Sequence, residues 1–211
     1  FFFKQKTAYE IRVQTCALPI SDKGVTISED TSYTLTVADF GFSDPNDVPA
    51  NALQSVTVNA PSAGTLTLDG VAIGGATVVS VADINAGKLV YTPAANANGA
   101  AYANLSFQVT DDGGTMDGGQ NTDQSPNTIT FNVTPVNDAP VLSAAARGLS
   151  FLEAAGANLQ AAAVGIFTGT TASTVDAGQM LTGLSFTVSG LRDGASERIV
   201  VDGRTIDLGT N

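Results

Sequence analysis

The sequence predicts an all-β protein made of short strands and tight turns. Several stretches alternate apolar and polar residues with a period of two, which is the pattern of strands that bury one face. Clusters of Gly, Pro, Asn and Asp separate these stretches, and such clusters form turns. The chain is rich in Thr and Val and poor in Lys and Glu, so long helices are not expected.

The first strands are predicted in residues 24–37, with a break near Glu29 and Asp30. A turn cluster that contains Pro45 and Pro49 follows them. Residues 53–80 then continue with further alternating runs, separated by one proline and several glycines. The early positions predicted to face the core are Val25, Ile27, Tyr33, Leu35 and Val37.

Residues 81–109 predict a tight turn at Asp83 and Ile84, a strand that carries Leu89 and Tyr91, an Asn/Gly loop and a longer strand. We expect Tyr91 to pack its ring in the core and not to act as a catalytic group. A second long strand is predicted after a loop rich in Gly, Asp and Asn, which makes the two strands a hairpin. Their predicted inward residues are Leu105, Phe107, Val109, Ile129, Phe131 and Val133.

The hairpin runs into the segment PVNDAP, which is predicted to be a stiff linker. Pro135 and Pro140 restrict the backbone on either side of Asn137 and Asp138. Hard cations such as calcium take six to eight oxygen ligands from carboxylates, amides and backbone carbonyls. A domain border rich in Asp and Asn therefore favours a bound calcium ion.

The order QVTDDGG, hairpin loop, TITFNVTPVNDAP resembles the closing hairpin and linker of cadherin-like repeats. More specifically, it resembles the bacterial cadherin-like domains that occur in tandem in very large surface adhesins. The resemblance extends from Val25 to Pro140. It implies a seven-stranded Ig-like, cadherin-like Greek-key β-sandwich that binds calcium at its borders. Ala139 stands where the animal-type linker has a second Asn, which removes one potential ligand.

The resemblance also implies a set of calcium ligands. At the border between two repeats, Glu29 or the base of the Asp111–Asp112 turn would come from the first repeat, the linker would add two residues, and Asp176 would come from the second repeat. Asp44 and Asp47 match a DxD-like element and would face the opposite end of the first repeat, although ordinary Asx-turn chemistry explains them equally well. The full set of expected ligands is Glu29, Asp44, Asp47, Asp111, Asp112, Asn137, Asp138, Glu153 and Asp176.

The predicted domains are a complete β-sandwich in residues 21–135, a linker in residues 136–140 and a truncated second Ig-like repeat in residues 141–211. In the second repeat Gln179 replaces the usual second Asp of the DxD-like element. Its Ala-rich beginning is compatible with a helix, but the β context and internal glycines favour strand and loop.

Residues 1–20 differ from the rest of the chain because basic and aromatic residues are dense there. The runs FFKQKTAYEI and VQTCALPI resemble translated sequencing-adapter oligonucleotides fused in frame. We interpret this segment as an artefact and exclude it from the fold. A secretion signal is the alternative, but Lys4, Lys6, Glu10 and Arg12 interrupt its apolar residues.

Composition excludes several functions. Residues 1–20 contain three of the nine basic residues and one of the twenty acidic residues. Without this segment, six basic and nineteen acidic residues remain, so the net charge is −13. An acidic chain cannot neutralise phosphates, so nucleic-acid binding is not expected. No segment has the roughly 18 consecutive apolar residues of a membrane span.

Catalysis is not predicted either. The chain has no His, and its single Cys lies in residues 1–20. Asp111 and Asp112 are adjacent on a predicted strand, so their side chains point to opposite faces and cannot converge on a bond. The chain is therefore not expected to be an enzyme.

The expected function is that of a calcium-binding repeat in a large bacterial surface adhesin, outside the cell. The resemblance implies a calcium-rigidified spacer or adhesive module, with neighbouring repeats and cell-surface glycans or proteins as partners. The alternative is a carbohydrate- or ligand-binding β-sandwich, which would require an exposed aromatic platform. The sequence has no Trp, which disfavours that alternative.

Overall fold

The chain divides into two compact units, Phe1–Val136 and Asn137–Asn211. The structure, a computed structural model, describes residues 20–44, 49–116, 119–147, 164–185, 187 and 198–208. The division falls inside the predicted linker, because Val136 belongs to the first unit and residues 137–140 belong to the second. The segment interpreted as an artefact lies outside the described residues except for Ile20.

The first unit is an Ig-like sandwich of two β-sheets, as the sequence predicts. In chain order its strands are β1 (Lys23–Ser28), β2 (Tyr33–Thr34), β3 (Leu53–Val58), β4 (Thr65–Leu68), β5 (Val71–Ala72), β6 (Thr77–Ser80), β7 (Leu89–Thr92), β8 (Gly99–Asp111) and β9 (Asn127–Thr134). The five-stranded sheet has the order β1-β9-β8-β3-β6, and the four-stranded sheet has the order β2-β7-β4-β5.

Strand β1 pairs with β9 in parallel, from Lys23 beside Ile129 to Ser28 beside Thr134. The other described strand pairs of this unit are antiparallel. Parallel strands end at the same edge of a sheet. The end of β1 therefore lies where the chain leaves the sandwich after Thr134, which we name the distal end. The opposite end, where β1 begins and β8 finishes at Asp111, is the proximal end.

The core lies between the two sheets and is built around aromatic rings. Tyr91 on β7 stacks on Phe131 of β9 with ring centroids 3.9 Å apart and planes at 13°. Phe40 meets Phe107 edge to face at 5.1 Å. Tyr91 is fully buried, which confirms its predicted place in the core. The alternating residues predicted to face inward on β8 and β9 are also buried: Leu105, Phe107, Val109, Ile129, Phe131 and Val133.

Gly64 shows how closely the backbone approaches Tyr91. Its φ of +72° is a conformation that L residues rarely adopt. A Cβ placed there would lie 2.6 Å from the carbonyl oxygen of Thr92 and 2.8 Å from the hydroxyl of Tyr91. The turn before β4 therefore requires glycine for both backbone and packing reasons.

Short helices lie between some of the strands. Val37–Phe40 form a 3₁₀ helix, and Val81–Asn85 form the helix α1. The sequence predicted only a tight turn at Asp83 and Ile84. The structure extends it to one helical turn, because Ser80 accepts a hydrogen bond from the Asp83 backbone N–H and caps the helix.

The described part of the second unit contains two antiparallel strand pairs. Strands β10 (Val141–Ala146) and β11 (Phe167–Ser173) pair with each other, and β12 (Arg198–Val201) pairs with β13 (Arg204–Asp207). The beginning of the Ala-rich stretch thus forms a strand, as predicted. The rest of that stretch, residues 148–163, lies outside the described residues.

Candidate metal-binding residues

The distal end of the first unit carries a buried carboxylate, Glu29, whose exposure is 1%. It follows β1 directly, and its backbone N–H donates to the carbonyl oxygen of Thr134 at 2.9 Å. This bond continues the pairing of β1 with β9 by one residue. The parallel register therefore brings Glu29 to the point where the chain leaves the sandwich.

Both carboxylate oxygens of Glu29 accept hydrogen bonds. The backbone N–H of Val136 donates to Oε1 at 2.6 Å, and Nδ2 of Asn98 donates to Oε2 at 2.9 Å. Hydrogen bonds to an ionised acceptor are about twice as strong as neutral ones. Glu29 thus fastens the exit segment and the loop between β7 and β8 to the end of β1.

In the second unit, the linker residues contact the turn that follows β11. The backbone N–H of Asp138 donates to Oδ2 of Asp176 at 2.9 Å. Nε2 of Gln179 donates to the same oxygen at 2.8 Å and to Oδ1 of Asn137 at 3.0 Å. The structure therefore brings together three of the expected ligands, Asn137, Asp138 and Asp176, and adds Gln179 to them.

The oxygens of this group are of the kinds that calcium binds. Oδ1 of Asp176 is buried and accepts no hydrogen bond from the described part of the chain. A buried carboxylate oxygen without a partner is costly, and a cation would satisfy it. Asn137 and Asp138 supply further amide, carboxylate and carbonyl oxygens of the kind calcium prefers. Gln179 presents its NH₂ group here and would have to turn its amide to become a ligand.

The carboxylates alone do not make a metal site. Within the residues that the structure describes, no group of three or more His, Cys, Asp or Glu side chains is arranged to hold a metal ion. A cation in the second unit would therefore depend on amide and backbone oxygens beside Asp138 and Asp176.

The prediction that the Asp111–Asp112 turn lies at the same end of the sandwich as Glu29 is wrong. Strand β8 runs antiparallel to β9, so Asp111 lies at the proximal end and Glu29 at the distal end. Asp112 exchanges two hydrogen bonds with Ala52, one from the Ala52 N–H to Oδ1 at 2.7 Å and one from its own N–H to the Ala52 carbonyl oxygen at 3.0 Å. The two carboxylates therefore belong to the end opposite the linker.

Asp44 also lies at the proximal end, as predicted from the resemblance. Its Oδ2 accepts a hydrogen bond from the Asn51 backbone N–H at 2.8 Å, one residue before Ala52. Asp111 is 2% exposed and its Oδ1 accepts from the Gly113 N–H at 2.8 Å, which is an Asx turn. Asp47 and Glu153, the remaining expected ligands, lie outside the described residues.

A family model described as cadherin-like matches residues 19–134, more than half of the 211 residues. The chain belongs to the cadherin-like family. No curated protein and no solved structure matches the chain. The cadherin-like match begins at residue 19, and Ile20 packs against the core of the first unit. The boundary between residues 20 and 21 stays a prediction.

Sequence reasoning missed Asn98 in this cadherin-like unit. The sequence predicts only an Asn/Gly loop at this position, but the side chain of Asn98 contacts Glu29 across 69 residues of sequence. No sequence pattern signals this contact, because it depends on how two distant loops meet.

Sequence reasoning also missed Asp39, which is 2% exposed. Its carboxylate accepts hydrogen bonds from Lys23 Nζ at 2.6 Å, from the Tyr33 hydroxyl at 3.0 Å and from both the N–H and the hydroxyl of Thr36. Burial raises the pKa of Asp39, but the hydrogen bonds from Lys23 and Thr36 outweigh burial and hold that pKa below its usual value. The Asp39 network is structural, since its acceptor positions are filled by the protein.

Cadherin-like sandwiches are generally non-catalytic, and the geometry gives no reason to expect otherwise here. The second unit has an apolar groove of about 420 Å³, lined by residues 140–142, Ala172 and residues 181–184. These lining residues include no titratable side chain. In the described part of the first unit no aromatic side chain is exposed, so the platform required by the ligand-binding alternative is not present there. No helix in the described ranges is long and apolar enough to cross a membrane.

Proposed function

We propose that this cadherin-like chain is a calcium-binding, non-catalytic repeat of a large bacterial extracellular adhesin. In this role it holds adhesive domains away from the cell or presents them. Calcium makes the linker between one repeat and the next less flexible. Cadherin-like domains are typically extracellular, which supports the proposed location at the bacterial cell surface. Neighbouring repeats of the same protein would be its first partners, and cell-surface glycans or proteins would be the targets of adhesion.

The observation that carries this proposal is the short distance along the chain between two anchored residues. Val136 is held to the first unit through the carboxylate of Glu29. Asp138 is held within the second unit through the carboxylate of Asp176. Only Asn137 separates the two anchors, and its side chain accepts from Gln179. The linker between the two anchors is therefore a single residue.

Calcium would strengthen the second anchor. Asn137, Asp138 and Asp176 would hold the ion, and the ion would neutralise carboxylates that otherwise repel one another. A ligand that binds only the folded state stabilises it by mass action, by about 2.7 kcal/mol at a concentration of about 100 times the Kd. Calcium at this place would therefore fix the linker to the second unit.

Thermal unfolding of the whole chain in calcium and in chelator tests the proposal. We expect calcium to raise the unfolding temperature of the wild type but not that of Asp176→Asn. Asp202→Asn is the matched control, because Asp202 lies in the exposed β12–β13 turn of the same unit and Asn tolerates its φ of 50°. An equal calcium shift in both variants, or no shift in the wild type, would refute calcium binding by this set.

A further inference from the structure

Asn98 is the one asparagine in the chain that is followed by glycine. Asparagine can lose its amide when the backbone nitrogen of the next residue attacks the side-chain carbon, and a following glycine favours this because it has no side chain in the way. Asn98 is an exposed residue, and a Cβ placed on Gly99 would meet no atom within 4 Å. A following glycine and an exposed Asn98 are therefore two features that favour the reaction.

The backbone around Asn98 is also irregular. The pairing of β8 with β9 shifts register between Gly99 and Ala103. The N–H of Ala101 donates to the side chain of Asn132 at 2.9 Å, and Ala101 has a positive φ of 49°. Bulged strand ends open more easily than regular ladders. The first residues of β8 can therefore leave the sheet and adopt the conformation that the reaction needs.

We infer that Asn98 is a site of spontaneous deamidation, and that its conversion to a carboxylate releases the hold of Glu29 on Val136. In the reaction the Gly99 nitrogen loses its proton and forms a bond to Cγ of Asn98, the bond from Cγ to Nδ2 breaks, and the NH₂ group takes up a proton and leaves as ammonia. Water then opens the cyclic imide at either carbonyl and gives aspartate or isoaspartate at position 98. No oxidant or reductant takes part.

The position of Asn98 makes this modification consequential. Its Nδ2 is the donor to Oε2 of Glu29, whose exposure is 1%. After deamidation a carboxylate faces that buried oxygen in place of a donor, so a hydrogen bond becomes a repulsion. The other oxygen of Glu29 holds the Val136 N–H, and a displaced Glu29 can no longer accept from it. Deamidation of Asn98 in a surface loop thus weakens the attachment of Val136, the residue at which the chain leaves the sandwich.

Peptide mapping of the whole chain, aged at mildly alkaline pH, tests the first half of the inference. Asn98 should convert several-fold faster than Asn96, which lies in the same loop but precedes Ala97. Isoaspartate should appear at position 98 and be detected by an isoaspartyl methyltransferase assay. Equal conversion of Asn98 and Asn96 would overturn the assignment.

Hydrogen exchange at the Val136 amide tests the second half. We expect exchange to become about tenfold faster in aged wild-type protein and in Asn98→Asp, as the loss of one charge-assisted hydrogen bond implies. Asn98→Gln keeps an amide and forms the cyclic imide far more slowly, so its exchange should not change with ageing. Exchange at Val136 that stays constant while position 98 converts would overturn the coupling.

The double variant Asn98→Asp with Glu29→Gln separates repulsion from a general disturbance of the loop. The glutamine amide can donate to the new aspartate and still accept from the Val136 N–H with its oxygen. Protection of Val136 should therefore return toward the wild-type value. If the double variant exchanges as fast as Asn98→Asp alone, repulsion between the two carboxylates is not the cause.

Discussion

The backbone N–H of Val136 donates a hydrogen bond of 2.6 Å to Oε1 of Glu29, although 107 residues separate the two in sequence. One buried carboxylate thereby joins the end of the first strand to the residue that precedes the linker. The same carboxylate accepts from Asn98, so three distant segments meet at Glu29. The Glu29 side chain is thus one of the contacts that hold the distal end of the sandwich together.

Glu29→Ala should lower the free energy of unfolding of the first unit by about 2–4 kcal/mol, because it leaves the Val136 N–H and the Asn98 amide without their acceptor. Glu29→Gln should cost less, since it keeps one oxygen acceptor. Urea unfolding followed by tyrosine fluorescence measures both, because Tyr33, Tyr91 and Tyr102 lie in this unit. Asp69→Asn, in the turn between β4 and β5, is the control. A loss no larger than that of the control would contradict the anchoring role of Glu29.

The Asp39 network predicts a specific dependence of stability on pH. The pKa of Asp39 is held below its usual value in the folded protein despite burial. A carboxylate with a lowered folded pKa contributes stability that is complete above the unfolded pKa, about 3.9, and is lost as the pH falls through the lower folded pKa. We therefore expect Asp39→Asn to be less stable than the wild type at neutral pH, with a difference that narrows below about pH 4.

Urea midpoints of wild type and Asp39→Asn, measured from neutral to acid pH, test this dependence. Lys23→Met removes one of the donors that lower the pKa of Asp39 and should produce part of the same effect. Parallel curves at all pH values would show that Asp39 is not the group responsible.

The stacked rings of Tyr91 and Phe131 predict a graded response to mutation. Tyr91→Phe keeps the ring and removes only the hydrogen bond to the Ala63 carbonyl oxygen, so it should cost about 1 kcal/mol. Phe131→Ala removes a fully buried ring and should cost about 3–5 kcal/mol. Calorimetry of the unfolding of the first unit measures the loss of stability in each variant. Equal losses would mean that the stack does not dominate this part of the core.

The sequence predicts the first sandwich well because the alternation of apolar and polar residues along a strand indicates which side chains are buried. Residues 105–109 and 129–133 alternate strictly, and their apolar members are buried in the structure. The same pattern cannot tell which end of the sandwich a loop occupies. The Asp111–Asp112 turn was placed at the wrong end for this reason, since its position depends on the antiparallel run of β8 against β9.

The candidate site was predictable only in part. Asn137, Asp138 and Asp176 were expected to meet, and they do so within the second unit. From the sequence, Gln179 is only a departure from the family pattern. The sequence does not show that its NH₂ group donates a hydrogen bond to Asp176. Contacts such as Asn98 with Glu29 depend on tertiary structure and leave no local signal.

Gln179→Glu should raise the affinity of the second unit for calcium, because it replaces a hydrogen-bond donor with a carboxylate beside Asp176. In chelator the same variant should be less stable than the wild type, since two carboxylates then face each other. Isothermal titration with calcium measures the affinity. Gln54→Glu adds the same charge at an exposed position of β3 and should change neither property. Equal affinities in the two variants would exclude Gln179 from the site.

We propose that calcium restricts the movement of the two units relative to each other. Small-angle X-ray scattering of the whole chain tests this proposal most directly. We expect a broad distribution of interatomic distances in chelator and a narrower one in calcium, with no narrowing in magnesium or in Asp176→Asn. Magnesium is the appropriate control because it is smaller and dehydrates reluctantly. Identical scattering curves for the wild type in calcium and in chelator would contradict the claim.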